Sequence, residues 1–553
     1  MNKKVCSFPI LFALLALLIG TCAVVFPASA QAAPTSTGSI TVSGTVASSY
    51  DAYQIFSANV VDGDSDAKIA TDLAWASDAV RDGALPVLHG AGMPNSQTTA
   101  QEAAEWLNTD FHLTSALSAQ LARSLQSSGA VPVALNAGTT AELSCGYWLI
   151  VADDGAIAQG ETGTAPIMAL VGGSAVTVKP KAATPKVAKH VLENGTAAWQ
   201  KAADVTVGDD LYWRLSATVP AGLAAYDTYT VQFVDTMSAG LDPSKVATSV
   251  RVYVAAGADG GFDAVSAGKD GRAGTEPAKG WTDITAQCAT KVAADGTFTV
   301  RTGDLIAALG GADAFSAGAR VVAVYNAPLN SACNHGIAKG NPNEVYLRYP
   351  RSPFADQSGD AGFTRTPSDD ACAYTWDLAL TKRGSDGDKP LAGAVLSIAD
   401  DRGRTLAADG TWDAEGKATV TTGEDGRVTV SGVDSGKLEV RELKAPKGYT
   451  AFEGTRSVTV KAEGLDVDQV AAAKPKLTIT AESPLRADSA DGSTGSLEAS
   501  LINTPTGTPP SITTGGFMPS TGDMAMYAAA AAAVAGAALI VVALLVKRGG
   551  WQP

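Results

Sequence analysis

Short segments in which apolar and polar residues alternate, separated by turn-rich stretches, dominate this sequence. That period of two belongs to half-buried β-strands and constrains the fold more than any other feature. In "WDLALTKRG" (Trp376 to Gly384), Leu378, Leu380 and Lys382 share one face, while Asp377, Ala379 and Thr381 share the other. The apolar face continues into "LAGAVLSI", which makes it the core face, so a lysine points inward. In "SGKLEVRELKAPKGY" the alternation puts Leu438, Val440 and Glu442 on one face, so a glutamate points inward too. In "GSLEASLIN" it puts Leu497, Ala499, Leu501 and Asn503 together. One inward lysine is explained by snorkelling; an inward lysine, acid and asparagine together point to a reaction.

Burial without a partner drives lysine toward the neutral amine and a carboxylate toward the neutral acid. A neutral amine is a nucleophile. With a protonated carboxyl polarising the asparagine amide, Lys382 Nζ can attack Asn503 Cγ and release ammonia, leaving an isopeptide bond. Folding supplies the proximity that this amide exchange requires. A second set follows the same logic. Val187, Lys189 and Val191 share a face, as do Val231, Phe233 and Asp235, and Asn343, Val345, Leu347 and Tyr349. Asn326, in "VVAVYNAPLN", also reads as inward and is the alternative to Asn343 as the partner of Lys189. The plainer reading of each set is a buried ion pair or a polar residue at a strand end.

The chain divides into modules. Lys3 and Lys4, an apolar run from about Ile10 to Phe26 and the small residues Ala28 to Ala30 read as a secretory signal over 1–30. Modules follow over 35–183, 184–352 and 374–504, with "SPFADQSGDAGFTRTPSDDA" separating the second from the third. In the first module, "SQTTAQEAAEWLNTDFHLTSALSAQLARSL" is predicted helical, with Thr98 or Thr99 as its cap. The second and third modules are strand-rich, with turns every eight to twelve residues, which suggests β-sandwiches. The first module ends on "AVTVKPKAA", where Val176 and Val178 face in, Lys179 and Lys181 face out, and Pro180 marks a strand end. Residues 505–517 form a flexible spacer. After it come "MPSTG" (Met518, Pro519, Ser520, Thr521, Gly522), twenty uncharged residues over 527–546, and Lys547 and Arg548. That apolar run is long enough to span a bilayer.

Several functions are excluded. A net charge of -15 and a pI near 4.8 argue against nucleic acid. The four histidines, His89, His112, His190 and His335, sit in no hydrolase motif. "DGDSDA" (Asp62 to Ala67) lacks the glycine and closing glutamate of a calcium loop and reads as a solvated acidic turn. Cys145, Cys288, Cys333 and Cys372 remain after removal of the signal. No C-x-x-C zinc motif occurs. In an exported chain the preferred disulfide is Cys288 with Cys333, both in the second module.

"MPSTG", the apolar run and the basic terminus, in that order, closely resemble the L-P-x-T-G sorting signal of Gram-positive surface proteins. The resemblance implies sortase cleavage between Thr521 and Gly522. "DLALTKRG", "LEVRELKAPKGY" and "LIN" resemble the isopeptide-forming collagen-adhesin B-type domains of Gram-positive pilins, with Leu443 in place of the usual threonine. That carries over Lys382, Glu442 and Asn503. The second module is similar to the middle domain of sortase-assembled pilus shaft subunits, which carries over Lys189, Asp235 and Asn343. Lys181 takes the position of the acceptor amine of the pilin motif, with Lys179 as second choice. The implied fold is mainly β, with tandem Ig-like, Cna-B-type sandwiches after an N-terminal α+β pilin domain. The implied role is a covalently polymerised pilus subunit, secreted and wall-anchored, that supports adhesion and turns over no substrate. Implied partners are pilus and housekeeping sortases, identical subunits, minor pilins, peptidoglycan and host surface ligands, with no cofactor and no metal. The rival is a monomeric wall-anchored adhesin or a minor tip or basal pilin.

Overall fold

A computed structural model describes residues 36–507 apart from 65–66, 110–111, 181–183, 221–222, 258–279 and 317. The signal segment 1–30, Lys181, the sorting motif Met518–Gly522 and the apolar run 527–546 lie outside the described residues. Among the described residues, no helix is long and apolar enough to cross a membrane.

The strands form six sheets that sort in pairs along the chain. In the first pair, a five-stranded sheet is built around the long strand Ser49–Asp62, which pairs with Lys68–Trp75, Val133–Asn136 and Gly146–Ala152. Beside it lies a three-stranded sheet of Thr140–Ser144, Thr37–Val42 and Val176–Val178. Three helices cover the larger sheet: Asp78–Gly90, Ala100–Asn108 and Ser115–Ser127. The long helical stretch of the sequence is therefore two helices. Thr99 caps the first through a capping box with Glu102, and Thr114 caps the second. Leu88, Ala103, Leu121 and Leu125 pack from the helices against Tyr53, Ile55 and Leu149 of the sheet.

The second pair is a sandwich. One sheet runs Ala198–Gln200, Val187–Glu193, Tyr212–Thr218, Arg320–Asn326, Arg251–Ala255, Trp281–Asp283. The other runs Ala202–Asp204, Asp369–Tyr374, Asn341–Pro350, Gln232–Met237, Thr297–Arg301, Ala289–Val292, with Phe363–Arg365 paired to Asn341–Pro350. Their inner faces close over Trp213, Phe233, Phe298, Tyr325 and Tyr349. The segment read as a separator between the second and third modules instead supplies two strands of this sandwich, Phe363–Arg365 and Asp369–Tyr374. Phe354, from the same segment, packs on the helical core of the first module under Arg123. Polar composition concealed this, because the residues flanking these strands, 358–361 and 367–368, are exposed.

The third pair is a second sandwich. Its smaller sheet runs Arg427–Val433, Trp376–Gly384, Ser496–Pro505, Tyr449–Thr450, with Leu485–Asp491 also paired to Ser496–Pro505. The facing sheet centres on Val395–Ala399, Gly436–Lys444 and Thr455–Glu463. Its core joins Trp376, Leu380, Val440 and Leu501 to Ala202, Cys372 and Tyr374, which belong to strands of the second sandwich. Trp376 Nε1 donates to Asp204 Oδ2 at 2.6 Å, and Asp209 accepts Arg404 in a two-pronged contact at 2.5 and 2.9 Å.

The disulfide expected between Cys288 and Cys333 is not formed; all four cysteines within the described residues are free. Cys288 ends the turn Thr285–Gln287, and its thiol donates to Ile284 O at 3.3 Å. Cys333 closes a loop whose backbone bonds Asn330, packed beneath Gly240. Membership of one module brought the two near in sequence logic, but they serve separate loops. Burial pushes both thiols up to about 11, which favours the inert thiol.

Candidate functional site

Each sandwich encloses one buried amine–acid–amide cluster. In the third module, Lys382, Glu442 and Asn503 are 0%, 6% and 2% exposed, as their places on the core face dictate. Lys382 and Asn503 stand on adjacent strands of one sheet: Trp376–Gly384 runs parallel to Ser496–Pro505, with Lys382 beside Leu501 and Gly384 beside Asn503. Glu442 comes from the facing sheet, in the register position opposite Leu396. Asn503 Nδ2 donates to Glu442 Oε1 at 2.8 Å. Lys382 Nζ lies 3.5 Å from the same oxygen and donates to Leu501 O at 3.3 Å. Glu442 Oε2 accepts the backbone N–H of Phe452 at 3.0 Å, which fixes the carboxyl plane. Asn503 Oδ1 is buried without a hydrogen-bond partner. Burial, opposed by Glu442, pushes the Lys382 amine down to about 8.

In the second module the elements are shared out differently. Lys189 belongs to Val187–Glu193 in one sheet, while Asp235 (Gln232–Met237) and Asn343 (Asn341–Pro350) belong to the other. The last two strands are antiparallel neighbours, with Asp235 opposite Val345 and Met237 opposite Asn343. All three residues are fully buried. Lys189 Nζ is ion-paired to Asp235 Oδ2 and lies over the rings of Trp213 and Tyr325, 5.4 Å from each centroid. The lysine backbone is held from outside: its N–H donates to Asp369 Oδ2 at 2.6 Å, and its carbonyl accepts Lys201 Nζ at 2.8 Å. Desolvation pushes Lys189 down to about 8 and raises Asp235, so both are driven toward their neutral forms. Asp235 Oδ1 and Asn343 Oδ1 are buried and without partners.

The structure places two of the alternative residues from the sequence, Asn326 and Lys179. Asn326 does not face the lysine. Val321, Ala323 and Tyr325 of its strand enter the main core, while Val322 and Val324 pack on the opposite side of the sheet. Asn326 follows the latter face, where it donates to Asp210 Oδ1 at 2.6 Å and accepts the Leu211 N–H at 3.1 Å. The residue that reaches the cluster from this strand is Tyr325. Its hydroxyl meets Lys189 Nζ at 2.9 Å, Asp235 Oδ2 at 3.1 Å and Asn343 Nδ2 at 2.8 Å. The same alternation, counted from Val321, places Tyr325 inward. Lys179, at the end of Val176–Val178, is exposed, and the adjacent Pro180 is buried.

The first module carries no such cluster among its described residues. Its buried lysine, Lys68, is satisfied by the carbonyls of Gly172 and Ser174, at 2.5 and 2.7 Å, and by Asp62 at 3.2 Å.

Fold and clusters define a multi-sandwich β protein with a helical first module and two buried amine–acid–amide sites. Within it, residues 377–474 match the family described as SpaA, prealbumin-like fold domain. The trypsin-resistant surface T6 protein of Streptococcus pyogenes serotype M6 is 30% identical over 143 residues, 24% of this chain and 24% of that protein. The chain thus aligns with about a quarter of that relative's length. The T6 backbone pilin of serotype M6 Streptococcus pyogenes is a structural neighbour at TM-score 0.46 and 17% identity, covering 85% of this chain and 98% of that one. The full-length major pilin SpaD from Corynebacterium diphtheriae follows at TM-score 0.42 and 15% identity, covering 87% of this chain and 100% of that one. BcpA, the major pilin subunit of Bacillus cereus, has TM-score 0.39 and 11% identity over 85% of this chain and 99% of that one.

Proposed function

We propose that the chain is the repeating structural subunit of a covalently polymerised surface pilus, stiffened by Lys189–Asn343 and Lys382–Asn503 isopeptide bonds. One observation carries this reading: two successive sandwiches each bury a lysine amine, a carboxyl and an asparagine amide in one polar cluster. Retained as charges, such groups cost more than well-packed apolar residues of the same volume. As reactants, they exchange an amide once: the neutral amine bonds to the asparagine Cγ, the acid holds the proton in transit, and ammonia leaves. In the chain-entropy view, closing loops of more than a hundred residues adds on the order of 4 to 5 kcal/mol per bond. The curated relative is named for trypsin resistance, and strands joined by amide bonds would give this chain the same property. Assembly would pass the Thr521 carbonyl of one copy to Lys181 of the next, with wall attachment using the same sorting signal.

The test is the intact mass of the reduced mature chain beside Glu442→Ala and Asp235→Ala. The expected wild-type mass is two ammonias below the sequence mass, and each variant retains one of the two deficits. A wild-type mass equal to the sequence mass refutes the cross-links and leaves both lysines as ion-paired core residues.

A further inference from the structure

We infer that the Tyr325 hydroxyl is a catalytic group of the second-module cross-link, relaying a proton from Asp235 to the departing amide nitrogen of Asn343. The inference rests on the isopeptide reading above and goes beyond it by adding a fourth group to one site and not to the other.

The phenol occupies the centre of the cluster. It is fully buried, with the ring of Phe298 against it at 4.6 Å and 72°. A phenol has one hydrogen and two lone pairs to offer. Lysine and the asparagine NH2 are donors here, so Lys189 Nζ and Asn343 Nδ2 take the lone pairs, at 2.9 and 2.8 Å. The one hydrogen is left for Asp235 Oδ2 at 3.1 Å. The hydroxyl therefore joins nucleophile, acid and leaving group with every bonding position used. In the third module the amide reaches its acid directly, Asn503 Nδ2 donating to Glu442 Oε1 at 2.8 Å. In the second, the recorded route from the Asn343 nitrogen to the acid passes through the phenol.

The step balances without an outside reagent. Neutral Lys189 Nζ bonds to Asn343 Cγ, and the carbonyl electron pair moves onto Oδ1. Nδ2, now a pyramidal amine, accepts instead of donating, so the phenol turns its hydrogen from Asp235 to Nδ2 and accepts the proton that Asp235 carries on Oδ2. The Cγ–Nδ2 bond breaks, ammonia leaves and the carbonyl re-forms. The surplus proton on Nζ returns to Asp235, so tyrosine and acid end as they began, and nothing is oxidised or reduced.

The experiment follows the mass of the full chain, made by cell-free synthesis in detergent and acid-quenched over time, with digestion to assign each cross-link. Tyr325→Phe keeps the ring and removes only the relay, and the third-module bond in the same molecule is the internal control. The expected result is second-module bonding slowed on the order of 10²-fold, with third-module bonding unchanged. Solvent must then protonate the leaving nitrogen, so the deficit against wild type narrows as the pH falls. Equal second-module rates in wild type and Tyr325→Phe overturn the relay and leave the cross-link standing. A deficit that is the same at every pH assigns Tyr325 to packing and also overturns it. In the unaltered chain, a second-module rate identical in H2O and D2O does the same without a variant. Absence of the second-module mass loss in wild type overturns the cross-link itself, and the relay with it.

Discussion

Single side chains would carry the proposed chemistry, and their protonation would set its pace. Lys382 is reactive only as the neutral amine, and burial pushes it down to about 8, well below the usual lysine value. Under that value the neutral fraction falls about tenfold per pH unit. The third-module bond of freshly made chain is therefore expected to form progressively more slowly from pH 8 to pH 6. Time-resolved mass measurement checks this, and a rate that is flat or rises over that interval contradicts it. Glu442 is fixed beside it, bonded to the Phe452 N–H through one oxygen and to Asn503 through the other.

Strands decide what each bond would fasten. In the third module the amine and amide lie on the first and last strands of the module, already paired in parallel, so a bond there locks its two ends together. In the second module the amine lies on one sheet and the amide on the other, so a bond there staples the sandwich through its core. The lysine strand of the third module is seated by a turn that only glycine fits. Gly426 has φ +74°, and an added Cβ would stand 2.8 Å from both Lys382 O and Leu391 N. Its carbonyl also accepts the Lys382 N–H at 2.7 Å. Gly426→Ala is expected to cost about 1–3 kcal/mol, read as a lower denaturant midpoint of the third module. An unchanged midpoint would show that the turn relaxes without disturbing the lysine strand.

At the level of the whole chain, side chains bond neighbouring modules to one another. Trp376 lies in the third core yet donates to Asp204 of the second sandwich, and Tyr374 stacks on it at 6.2 Å and 7°. Arg123 of the first module is bonded to Ala225 O and Pro353 O of the second. In cells, the proposed polymer is expected to appear as a ladder of SDS-resistant species that Lys181→Ala abolishes. A ladder that survives this change and disappears with Lys179→Ala moves the acceptor to Lys179. A chain that forms no ladder at all is a monomeric wall-anchored protein.

The alternation of apolar and polar residues determined the strand content, the core faces and the inward orientation of Lys189, Asp235, Asn343, Lys382, Glu442 and Asn503, because side chains on a strand have a strict period of two. The third-module cluster was the more readable, since its residues sit in long, regular alternating runs. Tertiary structure alone decided the rest. It placed Tyr325, and not Asn326, against Lys189, since a sheet buried on both sides makes nearly every residue of a strand apolar and hides which face meets the lysine. It kept Cys288 and Cys333 apart, because shared membership of a module says nothing about which loops meet. It also drew the polar stretch before Tyr374 into the second sandwich, because strands are held by backbone hydrogen bonds that leave little mark on composition.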